Sequence, residues 1–578
     1  MNVSNYSPCP AINQWEKAGA SLTSTLKNYS KLCQTLGHDS LSEGARPDDL
    51  ATRISSALEV HAALSRELIG CTTALQKARN KLVSPFFKLP EEIISTIFID
   101  VVYDFNDPNA PDFVPPSEDI WLLYRRLYQL VGVCTSWKYI AMEETKLWSM
   151  ILFDQNHPTQ RQVSLQRSGS SKLYLAAFNP SPTISRKLIN ILTEYGHRFY
   201  AINFEFNAGD NAVVRDLIAT LVQGNTSSSL TELSIRAASA YYMTTRPPEP
   251  SDYIIPHDHP QSDSFKNILQ NLTTFRTSGA LIHWDNLAFS TRLVELWINK
   301  LVLGYDEKVI PFIQTLSSAS NLRNLTIISV LTFHSSVSVP SMGTASAQHV
   351  QFPHLQSLFI QDIYFNTLRL LLPTIAPGSH RLTFFLSPKN LRFNRVEDVD
   401  SDDDELEDLA DVDFTVLCKI LEFIRIDTLI ISGFNGFGVD VWLTGTMIYQ
   451  LLKVIPTLKT LKLDYWIFNQ DLWENIRPLW TIQDNSNETP VLALENLYLT
   501  AATIPDIQGF QEMVINQSLR RVVLGGAAHR VDRTVSSSGR FQEGSSLVKW
   551  LREHVKEVRV VHMIDRLDEV YSDSWRLW

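Results

Sequence analysis

A hydrophobic pattern with period-two alternation recurs over the last two thirds of the chain. The motif L-x-x-L-x-(L or I) begins at Leu230, Leu293, Leu322, Leu355, Leu458 and Leu494, and weaker copies begin at 199, 272, 382, 426, 519 and 555. These starts are 21 to 44 residues apart. Because alternation of apolar and other residues at every second position is typical of a strand, each copy predicts a short β-strand.

Apolar residues at helical spacing precede many of these strands, as in the stripe formed by Val309, Phe312 and Leu316. One helix-strand unit cannot bury its own hydrophobic face, whereas a stack of units buries a continuous core between a parallel sheet and a row of helices. We therefore predict an irregular α/β solenoid of the leucine-rich-repeat kind over residues 156–578. A compact doubly wound α/β domain also alternates strand and helix, but the motif spacing favours the solenoid.

The first 84 residues show a different, seven-residue pattern. Apolar residues and one histidine fall on a narrow helical stripe that predicts a helix over residues 50–83: Ile54, His61, Leu68, Leu75 and Leu82, with Ala57, Leu64, Cys71 and Ala78 three places later. An earlier stretch has the same spacing at Trp15, Leu22, Tyr29 and Leu36. The two stretches predict a helical hairpin over residues 1–84, and a dimerising coiled coil is the alternative.

Composition and charge narrow the class of protein. Of 578 residues, 44% are hydrophobic, which is ample for a folded core. No window approaches 18 uncharged apolar residues, so no membrane partner is expected. The formal charge is −11 with no basic stripe, which argues against nucleic acid. Five scattered cysteines without a CxxC pair fit a reducing compartment, cytoplasmic or nuclear: Cys9, Cys33, Cys71, Cys134 and Cys418.

Two insertions interrupt the repeats. Residues 397–413 hold eleven acidic residues and no basic one, which is typical of a solvated acidic loop. Residues 243–263 hold five prolines and predict an extended surface loop.

No motif indicates catalysis or a cofactor. The glycines Gly433, Gly436 and Gly438 are in the order GxxGxG rather than that of a dinucleotide loop, and predict a turn. His257-Asp258-His259 lacks a second ligand pair, so a metal site is not expected there. The run Asp400–Asp404 starts like a calcium loop, but Glu405 and Asp411 stand where the loop needs its turn glycine and its bidentate glutamate. The sequence therefore predicts a protein without catalytic residues, cofactor or metal.

Three short signals stand in order between the hairpin and the repeats. They are Leu89-Pro90-Glu91-Glu92-Ile93-Ile94 leading to Ile97-Phe98, then Val133-Cys134-x-x-Trp137, then Leu147-Trp148. Together they resemble the F-box, and the downstream repeats resemble the leucine-rich repeats often attached to F-boxes. The upstream heptad helix is similar to the one that precedes the F-box in many fungal members. The module would cover residues 85–155, with an insertion at about 104–121 that is longer than the usual link.

The resemblance implies a division of labour. An F-box binds a Skp-type adaptor and through it a cullin-based ubiquitin ligase, and the repeats would hold a protein substrate. The residues that the resemblance assigns to the adaptor are Leu89, Pro90, Ile93, Ile97, Val133, Cys134, Trp137 and Trp148. Two alternatives remain open: a leucine-rich-repeat interaction scaffold whose degenerate F-box has no ligase role, and an enzyme on a Rossmann-like stack.

Overall fold

The computed structural model divides the chain into two compact units, residues 1–94 and 95–578, which are described separately. It describes residues 9–83, 85–103, 116–153, 158–178, 182–207, 210–223, 229–238, 246–334, 350–375, 380–396, 412–433, 442–479, 492–517, 519–528 and 540–561. The predicted acidic loop lies outside these residues up to position 411, as do Gly436 and Gly438 and residues 104–115 of the predicted F-box insertion.

The first unit is built on two long helices, α1 (Pro10–Ser42) and α2 (Pro47–Val83). Pro10 stands in the first turn of α1, where the N–H that proline lacks has no helical partner anyway. Neither helix has a buried residue. A short 3₁₀ turn (Pro85–Lys88) follows, and the next helix, α3 (Glu91–Tyr103), begins directly after Pro90.

The second unit opens with a helical module. After α3 come α4 (Pro116–Val133), α5 (Thr135–Glu143) and a 3₁₀ turn at Thr145–Trp148. The last six residues assigned to the predicted insertion, 116–121, are thus the start of α4. Among the described residues, no helix is long and apolar enough to cross a membrane.

In the part of the second unit that the structure describes, the helical module is followed by a parallel sheet of fourteen strands. Its strands lie side by side in chain order: β1 (Met150–Phe153), β2 (Leu173–Phe178), β3 (Phe199–Phe206), β4 (Glu232–Ala237), β5 (Thr274–Ser278), β6 (Glu295–Asn299), β8 (Asn324–Ile328), β10 (Ser357–Gln361), β11 (Arg381–Leu386), β12 (Thr428–Ser432), β13 (Thr460–Asp464), β14 (Asn496–Thr503), β15 (Arg521–Ala527) and β16 (Glu557–Val560). Two further strands, β7 (Val302–Tyr305) and β9 (Leu331–Phe333), pair with each other. The predicted α/β solenoid is confirmed.

Helices connect these strands: α6 (Pro158–Arg167), α7 (Pro182–Tyr195), α8 (Asn211–Gln223), α9 (Ser262–Asn271), α10 (Val309–Ser317), α11 (Phe365–Ile375), α12 (Phe414–Leu421), α13 (Gly445–Val454), α14 (Gln470–Ile476), α15 (Ile507–Gln517) and α16 (Ser546–His554). Successive side chains of each strand point to opposite faces of the sheet, so only every second one packs against the helices. In β8, Leu325 and Ile327 are buried in the core while Asn324 and Thr326 are not. One continuous core runs from Ile151 to Val555.

Several strands end in the same way, on a residue in the left-handed backbone region. Lys300, Ser329, Asp362 and Tyr465 each follow the last residue of their strand, with φ between 49° and 56°. The N–H of Lys300 donates to Ile328 O, and that of Ser329 to Gln361 O, so the parallel ladder continues past the turn. Side chains other than glycine rarely adopt this conformation, so these turns are imposed by the ladder rather than by local preference.

The proline-rich insertion is not wholly a surface loop. Ile254 and Ile255 are buried in the core, and the Ile254 N–H donates to Leu281 O over 2.9 Å. The Arg215 guanidinium donates to Ile254 O at 3.1 Å. The segment folds back because its two isoleucines supply apolar surface that a purely polar loop would lack.

Candidate adaptor-binding module and open sheet face

Large apolar side chains fill the interior of the helical module in the second unit. Phe98 of α3 and Trp148 of the 3₁₀ turn are each 1% exposed. The ring centroids of Phe98 and Trp137 lie 4.9 Å apart. The indole Nε1–H of Trp148 donates to Ala141 O over 2.8 Å, which satisfies the only polar atom of this buried side chain. The three aromatic residues therefore pin α3, α5 and the turn together.

The Val-Cys-x-x-Trp spacing has a local structural cause. Cys134 is the N-cap of α5, and its Sγ accepts a hydrogen bond from the Trp137 N–H at 3.5 Å. A capping side chain reaches the backbone N–H two or three residues ahead, so this spacing both starts the helix and aims Trp137 at Phe98.

Polar contacts tie α3 to the same turn. Ser95 Oγ donates to a carboxylate oxygen of Glu144 over 2.6 Å, and the Tyr103 hydroxyl donates to Lys146 O over 2.9 Å. Burial raises the pKa of Tyr103 to about 12, so this phenol stays a neutral donor. The second oxygen of Glu144 accepts from the Lys146 N–H. These bonds fix the turn that carries Leu147 and Trp148.

The eight predicted adaptor residues differ in accessibility. Leu89, Pro90 and Ile93 of the first unit are exposed, with Leu89 at 39% and Ile93 at 48%. In the second unit Val133 is 58% exposed at the end of α4. Ile97, Cys134 and Trp137 are half-buried. Trp148 is fully buried, so in this structure it belongs to the core of the module rather than to a contact surface. Adaptor binding by this set stays a prediction.

The sheet face that points away from the helices, the open face, is the second candidate surface. On strands β3 to β6 it carries paired charges. Arg276 lies between Glu232, at 3.7 Å, and Glu295, at 2.9 Å. Arg236 lies 3.7 Å from Glu205. Burial raises the pKa of Glu232 while the Arg276 charge acts against that rise. This half of the open face is thus largely self-neutralised.

Farther along, the open face is apolar. Phe385 and Ile430 are buried there and pack with Phe359 and Tyr498, apart from the main core. The Lys462 ammonium lies 4.7 Å from the centroid of the Tyr498 ring. Sequence reasoning did not identify this cluster. The sequence did contain a signal for it, at the last x of the motif L-x-x-L-x-(L or I). That position, which points to the open face, is aromatic in two copies, as Phe359 in β10 and Tyr498 in β14.

The structure also shows the surroundings of His257-Asp258-His259, the sequence considered above as a metal site. Within the part of the chain that the structure describes, no group of three or more His, Cys, Asp or Glu side chains could hold a metal ion. His257 instead lies edge-to-face with His283, at a centroid distance of 5.6 Å.

Comparison of the sequence with known proteins does not assign the chain to a family. No family model matches the chain, and no curated protein shows significant similarity to it. Among solved structures, the chain is similar to one in the crystal structure of the Rad7 and Elc1 complex in yeast, at 11% sequence identity and a TM-score of 0.30. The alignment covers 78% of this chain and 98% of that chain. At this level of similarity, the fold assignment rests on the strands and helices described above.

Proposed function

We propose that the chain is a substrate receptor of a Skp-cullin-F-box ubiquitin ligase and that it acts through binding alone. In this proposal, residues 85–150 engage a Skp-type adaptor, and the open face of the sheet holds the substrate. No catalytic residue is required, because holding the substrate near the ubiquitin-loaded partner supplies the rate enhancement.

One observation carries the adaptor half of the proposal. The F-box-like positions divide into a filled interior, with Phe98 and Trp148, and apolar side chains left in solvent, with Leu89, Ile93 and Val133. Apolar residues that a small helical module does not need for its own core are the usual anchors of a protein interface. Each of the three is exposed by more than a third.

The chemistry of the open face supports the substrate half of the proposal. A neutralised charged stretch around Arg276 and an apolar cluster around Phe359 and Tyr498 stand on one continuous sheet. An interface needs apolar anchors with a polar surround, and the cluster supplies such anchors.

Co-expression with a Skp-type adaptor tests the proposal. Wild type should retain the adaptor through purification, and the double variant Leu89→Ala, Pro90→Ala and the single variant Val133→Asp should lose it. Ile515→Asp is the matched control, since Ile515 is 58% exposed on α15 and lies outside the module. A folded wild type that does not retain the adaptor would favour the scaffold without a ligase role.

A further inference from the structure

The two long helices of the first unit carry apolar side chains that no described part of the chain covers. Neither α1 nor α2 has a buried residue. Of the 28 large apolar side chains that are exposed among the described residues, 17 lie on these two helices. Proteins rarely leave such a concentration of apolar surface in solvent, and helices owe most of their stability to the packing of an apolar face. The hairpin therefore needs a partner surface.

The heptad stripes of the two helices meet across the hairpin and are still open to solvent. Tyr29 and His61, one from each stripe, contact each other with ring centroids 5.4 Å apart. Every large apolar member of the stripes is nevertheless exposed by more than a third: Trp15, Leu22, Tyr29, Leu36, Ile54, Leu64, Leu68, Leu75 and Leu82. A seam between two helices is closed when two further helices pack on it, as in a four-helix bundle.

The hairpin is large enough for a stable interface. Helix α1 has 33 residues, so it is about 50 Å long, and two helices of about 10 Å diameter side by side present a face of roughly 1,000 Å². A standard protein interface takes roughly 800 Å² from each partner. The partner that fits this face presents two apolar stripes of the same length, and a second copy of the hairpin does so.

The charges of the hairpin are divided between its two halves, and this division favours a second copy in one orientation. At the Tyr29–His61 contact the hairpin divides into a turn half, residues 30–60, and an open half, residues 10–28 and 62–83. The turn half holds five acidic and three basic residues, a net charge of −2, and the open half holds two acidic and six basic residues, a net charge of +4. An antiparallel pair places opposite charges together, whereas a parallel pair places like charges together.

We propose that the chain forms an antiparallel homodimer through α1 and α2, in which two hairpins share the core of a four-helix bundle. A twofold axis at the level of the Tyr29–His61 contact makes the interface self-complementary, because the turn half of each copy then meets the open half of the other. The dimer does not rest on the ligase proposal, since it involves none of residues 85–150.

Analytical ultracentrifugation of the full chain over a concentration series tests the dimer. Wild type should sediment as a dimer. The double variant Leu22→Asp, Leu68→Asp should sediment as a monomer, because it would place unpaired charges in the shared core. Thr73→Asp is the matched control, since it adds the same charge to α2 at an exposed position outside the stripe, and it should remain a dimer.

Charge reversal tests the orientation and leaves the stripes intact. Lys77→Glu, Arg79→Glu and Lys81→Glu together change the open half from +4 to −2, and at low salt we expect the dissociation constant of the dimer to rise by about tenfold or more. Asp39→Lys and Glu59→Lys change the turn half from −2 to +2. Combining the two sets should restore the dimer. All five side chains are exposed, so we expect unchanged helix content by circular dichroism.

A wild type that stays monomeric over the series overturns the inference, whether another protein or the rest of the same chain covers the stripes. A dimer that persists in the double stripe variant also overturns it. If that variant loses helix content, the charge-reversed set decides, and a tighter dimer there would overturn the antiparallel orientation. Retention of the Skp-type adaptor is scored on the same samples. A monomeric variant that keeps the adaptor, or a dimer that never retains it, separates the two proposals.

Discussion

The hydroxyl of Tyr29 lies 2.9 Å from Nε2 of His61 and joins α1 to α2 across the hairpin. The two residues stand thirteen positions before the end of α1 and fourteen after the start of α2, so the contact fixes an antiparallel register. By counting from that contact, Leu22 stands opposite Leu68, and both are heptad positions of the two predicted stripes.

The register can be broken from either helix. Leu22→Asp or Leu64→Asp places a charge on one of the two stripes, and we expect amide hydrogen exchange to accelerate throughout both α1 and α2. Thr73→Asp, on the exposed outer side of α2, should leave exchange in α1 unchanged. Acceleration confined to the mutated helix would show that the helices do not support each other.

The buried indole of Trp148 should be essential to the helical module. Trp148→Phe removes the donor to Ala141 O and part of a buried ring, so we expect a loss of about 2–4 kcal/mol in the free energy of unfolding of this module. Hydrogen exchange in α3 and α5 reports the effect locally. Trp15→Phe is the control, since Trp15 is 57% exposed and should change nothing.

Gly526 is required by a close approach of two backbones. Its φ is 137°, and a Cβ added there would lie 1.9 Å from Ala502 O. Gly526→Ala should therefore cost roughly 3 kcal/mol or more in unfolding free energy, measured by chemical denaturation. At Gly132, near the end of α4, an added Cβ meets nothing within 4 Å, and Gly132→Ala should be neutral or stabilising.

A buried carboxylate beside β7 depends on three donors. Asp306 accepts from Thr332 Oγ1 and Asn366 Nδ2, each at 2.7 Å, and lies 3.0 Å from His334 Nδ1. Thr332→Val removes one donor from the buried Asp306 carboxylate, and we expect a loss of about 1–3 kcal/mol in the free energy of unfolding, measured with denaturant. Thr326→Val on the open face should lose less than 0.5 kcal/mol or so. If the two variants lose the same unfolding free energy, the hydrogen bond from Thr332 to Asp306 does not stabilise the fold.

The half-buried side chain of His283 should make stability depend on pH. Burial lowers the pKa of His283, while Asp285 acts to raise it and His257 and Lys308 lower it further. Because the unfolded chain binds the proton more readily than the folded one, stability is full above the ordinary histidine pKa of about 6.5 and falls as pH drops below it. His283→Gln should flatten the pH 5–7 stability profile relative to wild type in thermal unfolding.

The repeat strands were predictable because each has one face in the core and one outside it. All twelve motif copies, from the one at 199 to the one at 555, correspond to strands of the sheet. Strands β1 and β2 were missed since MILF is buried on both sides and LYLAAF nearly so, which removes the alternation that marks a strand.

The functional surfaces were less predictable. The F-box-like motif identified the helical module, but not that Trp148 is buried while Val133 is exposed. The stacked rings of Tyr253 and His283 lie thirty positions apart in the sequence, and Phe312, which lines one cavity with both of them, lies a further 29 positions on. Local patterns report which face of an element is apolar and not which distant element covers it, so such a site becomes visible only once the chain is folded.

The strand order of the sheet determines where folding and unfolding can begin. Since the fourteen strands of the large sheet lie in chain order, stabilising contacts are short-range along the chain, and an assembled stretch can act as a template for the next strand. Folding can therefore start at any well-packed stretch and spread in both directions. Melting should begin at an end, with β16 and its short segment of alternating charged and half-buried residues opening before β10 or β12, and partly unzipped molecules should populate the transition in place of a single cooperative step.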